Sequence, residues 1–213
     1  MSKFDCVCFD LDGTICDSKP GILNGLKYAY KQLGEPEQTD AYFLKFIGLS
    51  LDKSLKKFTD FDAEKITETI TIFREYYGEQ GIFDGDLYEG ITSTIKNIHE
   101  SGKAIYLVTA KPQHFAEEIL DHFGILDYFS GIFGLIPDEE YPGKTAHLNE
   151  VIKISDCKSL IMIGDRHMDI DAANETNSSS IAATYGYGGK EELENAKPTY
   201  FAANCKEIEK IVL

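Results

Sequence analysis

Acidic and hydroxyl side chains follow the short apolar runs of this sequence. Asp10 and Asp12 come directly after the first run, and Thr109 comes directly after the second. Asp165 and Asp169 follow a later run. Ligands of open parallel sheets bind at the carboxyl ends of the strands. If the apolar runs are buried strands, these five side chains converge on one edge of one sheet.

The types of these residues suit the transfer of a phosphoryl group. That group carries high negative charge, so its transfer depends mainly on positioning and charge neutralisation. Mg²⁺ prefers oxygen ligands in octahedral geometry, and Asp10 and Asp165 offer two carboxylates. Asp12 lies beside Asp10 in sequence and is a candidate acid and base. Thr109 and Lys144 offer a hydroxyl group and a positive charge to phosphate oxygens.

Several residues of this set also have a simpler structural interpretation. A run of Asp-x-Asp-Gly-Thr is compatible with an Asx turn. Asp169 is compatible with an acid at a helix N-terminus, where the helix dipole favours it. In addition to Lys144, Lys111 is a candidate for contact with phosphate. His167 is interpreted as a solvated loop histidine. The Gly-rich segment 185–189 is interpreted as a chain turn, with lining of the site as the alternative.

The elements that would position these residues alternate between strand and helix. Short apolar runs predict five strands, at residues 4–9, 104–108, 131–135, 160–163 and 180–183. Helical patterns lie between them, at residues 91–101, 113–123, 145–154 and 168–176. This alternation indicates right-handed βαβ units and a parallel sheet covered by helices on both faces. The predicted fold class is therefore α/β, with a Rossmann-like parallel sheet core.

One long segment interrupts the alternation. Residues 20–81 contain no strand pattern, but they contain three helical patterns, at residues 22–33, 50–58 and 63–77. Glycines at positions 78, 81, 85 and 90 follow this block. We therefore expect an inserted helical cap domain at residues 16–85. The α/β core domain would then consist of residues 1–15 and 86–213.

The charge of the chain excludes some classes of partner. The formal net charge is −15, from 36 acidic and 21 basic residues among 213. Nucleic acids and anionic membranes need clustered lysine and arginine, so neither is an expected partner. An anionic substrate would need local cations, which a metal ion and one or two lysines would supply.

The cysteines and the hydropathy indicate a cytoplasmic protein. The five cysteines are odd in number and form no Cys-x-x-Cys pair, so we interpret them as reduced core thiols. The sequence contains no run of eighteen apolar residues, and its first residues do not resemble a secretory signal. The expected assembly is a monomer or a small homo-oligomer.

Four segments resemble, in order and spacing, the motifs of the haloacid dehalogenase superfamily. They are FDLDGT at residues 9–14, VTAKP at 108–112, PGKTAHL at 142–148 and GDRHMD at 164–169. The resemblance runs from about residue 4 to the C-terminus. The helical insertion matches the superfamily's variety with a cap between the first and second motifs. Within it, KFIGLSL at residues 45–51 is similar to a cap loop of phosphoglycolate-phosphatase-like members, although Leu49 and Ser50 stand where two prolines are common.

The resemblance implies a role for each matching residue in catalysis. Asp10 would attack phosphorus, and Asp12 would protonate the leaving oxygen. Asp12 would then take a proton from the water that hydrolyses the aspartyl-phosphate. Thr109 and Lys144 would hold the phosphoryl oxygens.

The resemblance also implies a set of ligands for Mg²⁺. These are the side chains of Asp10 and Asp165 and the backbone carbonyl of Asp12. Asp169 would support either the metal or Lys144.

The expected activity is hydrolysis of a small organophosphate by a phosphoric monoester hydrolase of the phosphoglycolate-phosphatase-like kind. A 5′-nucleotidase, a pyrophosphatase and a sugar-phosphate mutase on the same scaffold stay open. Dehalogenase or phosphonate hydrolase chemistry is disfavoured by Asp12, because neither needs that second acid. A more distant alternative is a non-catalytic protein that binds a phosphate ligand.

Overall fold

The computed structural model describes residues 3–136 and 140–213. Residues 1–2 and 137–139, which fall in the predicted core domain, lie outside the described residues. The chain divides into two compact units. The core unit consists of Met1–Cys16 and Leu87–Leu213, and the helical unit is Asp17–Asp86.

The core unit is built on a six-stranded sheet in the order β5-β4-β1-β6-β7-β8. All of its strand pairs are parallel. The strands of the described chain are β1 Cys6–Phe9, β2 Cys16–Asp17, β3 Asp86–Leu87, β4 Ala104–Pro112, β5 Gly131–Leu135, β6 Leu160–Gly164, β7 Ser179–Ala183 and β8 Tyr200–Ala202. Strands β2 and β3 form a separate two-stranded sheet. The predicted α/β class with a parallel, Rossmann-like sheet is confirmed.

Helices connect the parallel strands, as parallel pairing requires. The helices are α1 Lys19–Gln32, α2 Asp40–Phe43, α3 Leu51–Phe58, α4 Ala63–Glu79, α5 Ile91–Glu100, α6 Gln113–His122, α7 Lys144–Ser155, α8 His167–Glu175, α9 Lys190–Ala196 and α10 Cys205–Val212. Short 3₁₀ turns occur at Leu44–Phe46, Gly81–Phe83 and Leu126–Tyr128. No helix among the described residues has the length and hydrophobicity needed to cross a membrane.

Strand β1 lies at the centre of the sheet and is buried along its whole length. A strand covered on both faces needs a continuous apolar run rather than an alternating one, and its sequence, Cys-Val-Cys-Phe, provides this. Cys6 and Cys8 pack in a buried cluster with Tyr106 and Val108. None of the five cysteines, all of which lie among the described residues, forms a disulfide bond.

The strand register places the ends of β1 and β6 level with the middle of β4. Phe9 of β1 lies opposite Leu107 of β4 on one side and Ile163 of β6 on the other. The Asp10 backbone N–H continues this register by donating to the carbonyl of Ile163 at 2.9 Å. Asp10 and Asp165, which follow β1 and β6, therefore lie near Thr109, which is within β4.

The helical unit has its own hydrophobic core. Leu23, Leu26 and Tyr30 of α1 follow helical spacing and pack with Phe43 and Leu55 from the neighbouring helices. The apolar periodicity of this segment is thus explained by burial within the unit itself.

Candidate active site

Lys144 connects two of the predicted acids. Its Nζ lies 2.7 Å from Asp10 Oδ2 and 2.5 Å from Asp169 Oδ1. Asp10 follows β1, Lys144 is the first residue of α7, and Asp169 lies in the first turn of α8. All three side chains are at least 94% buried. A buried charge needs a partner, and this lysine serves two carboxylates at once.

Asp165 joins the other two acids in a compact group. Carboxylate oxygens of Asp10, Asp165 and Asp169 all lie within 4.8 Å of one another. Three oxygen donors at this spacing suit a hard divalent cation such as Mg²⁺. We refer to these three residues as the acid cluster.

Burial shifts the titration of the acid cluster. The pKa of Asp10 rises from 3.8 to about 6, because burial and the charge of Asp169 outweigh the attraction of Lys144. The pKa of Asp165 rises from 3.8 to about 7, because of burial and the charges of Asp10 and Asp169. Burial lowers the pKa of Lys144, but Asp10 and Asp169 outweigh it and hold this pKa well above its usual range. One lysine therefore does not neutralise the acid cluster.

Asp165 is held by hydrogen bonds at both of its oxygens. Thr14 Oγ1 donates to Oδ1 at 3.1 Å, and the backbone N–H of Tyr187 donates to Oδ2 at 2.7 Å. The backbone approaches this carboxylate closely on two sides. A Cβ atom at Gly13, where φ is +87°, would lie 2.3 Å from Asp165 Oδ2, and one at Gly186 would lie 2.3 Å from Asp165 Cβ. Only glycine fits at either position.

Asp169 uses its two oxygens differently. Oδ1 accepts from Lys144, whereas Oδ2 accepts from the backbone N–H of Arg166 at 3.0 Å. The second bond ties the carboxylate to the beginning of α8. Asp169 thus combines the helix N-terminal role, which was the simpler interpretation, with a contact to the site lysine.

The remaining predicted residues form a second group around Lys111. Its Nζ lies 2.8 Å and 3.1 Å from the two carboxylate oxygens of Asp12. The backbone N–H of Lys111 donates to Thr109 Oγ1 at 3.2 Å. The charge of Asp12 contributes to the raised pKa of Asp10, so the two groups interact electrostatically. Asp12, with 17% of its side chain exposed, is the more accessible of these two acids.

Three contributors to the site were not assigned from the sequence. Thr14 and Tyr187 hold Asp165, as described above. The hydroxyl of Tyr141 is buried. Burial and the charge of Asp10 raise the pKa of this hydroxyl, whereas the charge of Lys144 lowers it. The only sequence feature that indicated a place near the site for Tyr187 was its position in the Gly-rich segment 185–189. No sequence pattern indicated Tyr141.

Comparison with known proteins relates most of the chain to one family. The family model of haloacid dehalogenase-like hydrolases matches residues 7–183. A 5′-nucleotidase from Pseudomonas aeruginosa is 29% identical, over 99% of this chain and 96% of that protein. A phosphoglycolate phosphatase from Vibrio cholerae is 28% identical, over 100% of this chain and 99% of that protein.

The same relation is found among solved structures. The crystal structure of a predicted phosphatase from Clostridium acetobutylicum matches with a TM-score of 0.91 and 34% sequence identity, over 98% of each chain. The crystal structure of a predicted phosphoglycolate phosphatase from Haemophilus somnus matches with a TM-score of 0.87 and 25% identity, over all of both chains.

Proposed function

Because the chain belongs to the haloacid dehalogenase-like hydrolases and is a phosphatase of that family, we propose that it hydrolyses a small phosphomonoester through an aspartyl-phosphate at Asp10, with Mg²⁺ as cofactor. One observation carries this proposal. Lys144 contacts Asp10 and Asp169 together inside a buried acid cluster at the end of β1. A nucleophilic carboxylate and a cation for phosphoryl oxygens are thereby placed side by side.

The proposed reaction assigns complementary roles to Asp10 and Asp12. An oxygen of Asp10 attacks phosphorus, the bond between phosphorus and the ester oxygen breaks, and Asp12 gives that oxygen a proton. Water then attacks phosphorus, gives a proton to Asp12, and the bond to Asp10 breaks. The ion pair with Lys111 fixes the position of the Asp12 carboxylate beside the site. Thr109 and Lys144 are proposed to hold the phosphoryl oxygens.

The acid cluster fits the proposed metal. Mg²⁺ would be held by Asp10, Asp165 and the backbone carbonyl of Asp12, with Asp169 supporting the metal or Lys144. When bound, it would neutralise negative charge on the phosphoryl oxygens. The raised pKa values of Asp10 and Asp165 support the fit, because they reflect buried negative charge that lacks a sufficient counter-charge.

Mg²⁺ is expected to stabilise the protein more strongly as pH rises. Because the folded-state pKa values of Asp10 and Asp165 are raised to about 6 and about 7, the metal-free protein retains protons that the unfolded chain has lost. These two acids therefore destabilise the metal-free fold progressively as pH rises from about 4 to about 7. Metal binding needs the ionised carboxylates, so the rise in unfolding temperature on adding Mg²⁺ should be larger at about pH 7.5 than at about pH 5.5.

Differential scanning calorimetry of EDTA-treated protein, with and without Mg²⁺, measures this difference. Asp165→Asn provides the control, since it removes one proposed ligand and should reduce the Mg²⁺ effect at both pH values. An equal Mg²⁺ effect at the two pH values in the wild-type protein would contradict the assignment of these acids as ligands.

The substrate proposed first is a small phosphomonoester of the phosphoglycolate type. The second candidate is a nucleoside 5′-monophosphate, which is favoured by the 29% identity to a 5′-nucleotidase over nearly the whole chain. We propose that the helical unit acts as the cap and that its loop at residues 45–51 contributes to this choice. Gly48 in that loop has a φ of +96°, so the backbone turn there favours glycine. Cytoplasmic location and a monomeric or small oligomeric state stay predictions from the sequence.

A phosphate-release screen tests the proposed function. The panel contains phosphoglycolate, nucleoside 5′-monophosphates, sugar phosphates and pyrophosphate, each with Mg²⁺ and with EDTA. We expect Mg²⁺-dependent release of phosphate from small phosphomonoesters. Preferential release from nucleotides would select the second candidate, whereas phosphate migration on a sugar without release would indicate a mutase. No release from any compound would overturn the proposal.

A further inference from the structure

Glu192 accepts three hydrogen bonds from two consecutive residues of the acid loop, defined here as residues 165–169. Its Oε1 lies 2.8 Å from Arg166 Nε, 3.0 Å from His167 N and 2.9 Å from His167 Nδ1. Burial raises the pKa of Glu192, but the hydrogen bonds from Arg166 and His167 outweigh it, and the pKa is lowered. An ionised carboxylate only accepts hydrogen bonds, so Glu192 is the acceptor in these contacts.

Arg166 lies between Glu192 and the acid cluster. Its side chain binds Glu192, while its backbone N–H binds Asp169 Oδ2 at 3.0 Å. The other oxygen of Asp169 accepts from Lys144. A continuous chain of charge-assisted contacts therefore runs from Glu192 through Arg166 and Asp169 to Lys144.

Helix α9, which carries Glu192, packs against and hydrogen-bonds to α8, which carries Asp169. Leu193 is fully buried and packs with Ile170 of α8 and Ala182 of β7. At the far end of α9, Asn174 Nδ2 donates to the carbonyl of Ala196 at 2.9 Å. These two attachments give Glu192 a fixed position from which to hold the acid loop.

The segment that leads into α9 contacts the other end of the acid loop. The backbone N–H of Tyr187 binds the Asp165 carboxylate at 2.7 Å. A Cβ atom at Gly188 would lie 1.9 Å from the carbonyl oxygen of Asp165, so the two backbones are in direct contact there. Residues 186–192 thus reach the acid loop at Asp165, Arg166 and His167.

We propose that Glu192 is a positioning residue that presets Asp165 and Asp169 for Mg²⁺. The proposal rests on the proposed function, because it assumes that the acid cluster holds this metal. Partners that orient metal-binding carboxylates typically alter metal affinity by about 10- to 100-fold. Since the hydrogen bonds of Glu192 go to the acid loop, its loss should weaken Mg²⁺ binding rather than substrate binding.

The test compares Glu192→Gln with Glu194→Gln. Both substitutions remove one negative charge from α9, but Glu194 is 55% exposed and its side chain forms only a loose ion pair with Lys190, at 3.7 Å. Titration calorimetry with Mg²⁺ on metal-stripped full-length protein gives the dissociation constant without turnover. We expect Glu192→Gln to raise that constant by about 10-fold or more and Glu194→Gln to leave it near the wild-type value.

Kinetics and a second variant complete the test. At saturating Mg²⁺, Glu192→Gln should recover turnover and retain the substrate KM, which a general loss of structure would not allow. If circular dichroism shows that Glu192→Gln is unfolded, Glu192→Asp takes its place in the test. Aspartate keeps the negative charge but has a shorter side chain. It should weaken Mg²⁺ binding to an intermediate degree. Equal Mg²⁺ affinity in the Glu192 and Glu194 variants would overturn this inference alone. Absence of Mg²⁺-dependent phosphate release in the wild type would instead overturn the proposed function.

Discussion

Asp10→Asn is expected to lose turnover by about 10³-fold or more while the protein remains folded. The amide is nearly isosteric with the carboxylate, and its oxygen can still accept from Lys144, but it cannot form an aspartyl-phosphate. Because the pKa of Asp10 is raised to about 6, its ionised form is disfavoured in the metal-free fold. The substitution should therefore not lower the unfolding temperature of EDTA-treated protein at about pH 7.5.

Acid-quenched mass spectrometry and phosphate release together measure this effect. The wild type should show a covalently bound phosphoryl group on the peptide that contains Asp10, and Asp10→Asn should not. Asp121→Asn, at an exposed position of α6, serves as the matched control and should behave like the wild type. Turnover within tenfold of the wild type in a folded Asp10→Asn protein would remove the nucleophile assignment.

Lys144→Met is expected to impair both catalysis and stability. Methionine has a similar length but no charge, so Asp10 and Asp169 lose their shared buried partner. Breaking a buried ion pair by removing one partner typically costs about 3 to 5 kcal/mol. Turnover should fall by about 10²-fold or more, because a cation for the phosphoryl oxygens is also lost.

The stability loss in Lys144→Met should depend on pH in a defined direction. Lys144 lowers the pKa of Asp10, so without the lysine the Asp10 carboxylate is harder to ionise, and it becomes neutral as pH falls. The difference in unfolding free energy from the wild type should therefore be largest above about pH 7 and smaller at about pH 5. Urea denaturation at the two pH values measures it. Lys153→Met, at an exposed position of the same helix, is the control and should lose little stability.

A stability loss in Lys144→Met that is equal at the two pH values would contradict this account. It would mean that packing of the lysine stem, rather than its charge, stabilises the acid cluster.

The central strands were predictable because burial on both faces imposes a simple pattern. Cys6–Phe9 and Leu160–Gly164 lie in continuous apolar runs, and their ends mark the positions of Asp10 and Asp165. Strand β4 was predicted to end at residue 108, but it continues to Pro112. The polar residues and the proline at its end are typical of a loop, and its extension depends on pairing with β5, which only the folded sheet provides.

The edge of the sheet was less predictable than its centre. Strand β8, Tyr200–Ala202, has only three residues, and no strand was predicted there. Its Phe201 is 47% exposed, so the apolar pattern that marks a buried strand is weak. Short edge strands owe their conformation to the neighbouring strand, here β7, more than to their own sequence.

In the site, the acids were predictable but their hydrogen-bond partners were not. The positions of Asp10, Asp165 and Asp169 follow from the ends of apolar runs. The contact of Thr14 with Asp165 joins residues 151 positions apart, and that of Tyr187 uses a backbone N–H that every residue except proline carries. Such contacts depend on how the loops pack, which composition and periodicity do not encode.

The Tyr187 contact has a consequence for sequence variation around the site. Since the donor to Asp165 belongs to the main chain, the hydrogen bond persists whatever side chain stands at this position, proline excepted. Gly186, next to it, does not tolerate other residues, because even a methyl group there would collide with Asp165. Random libraries over this loop should therefore return diverse residues at position 187 beside an unvarying Gly186.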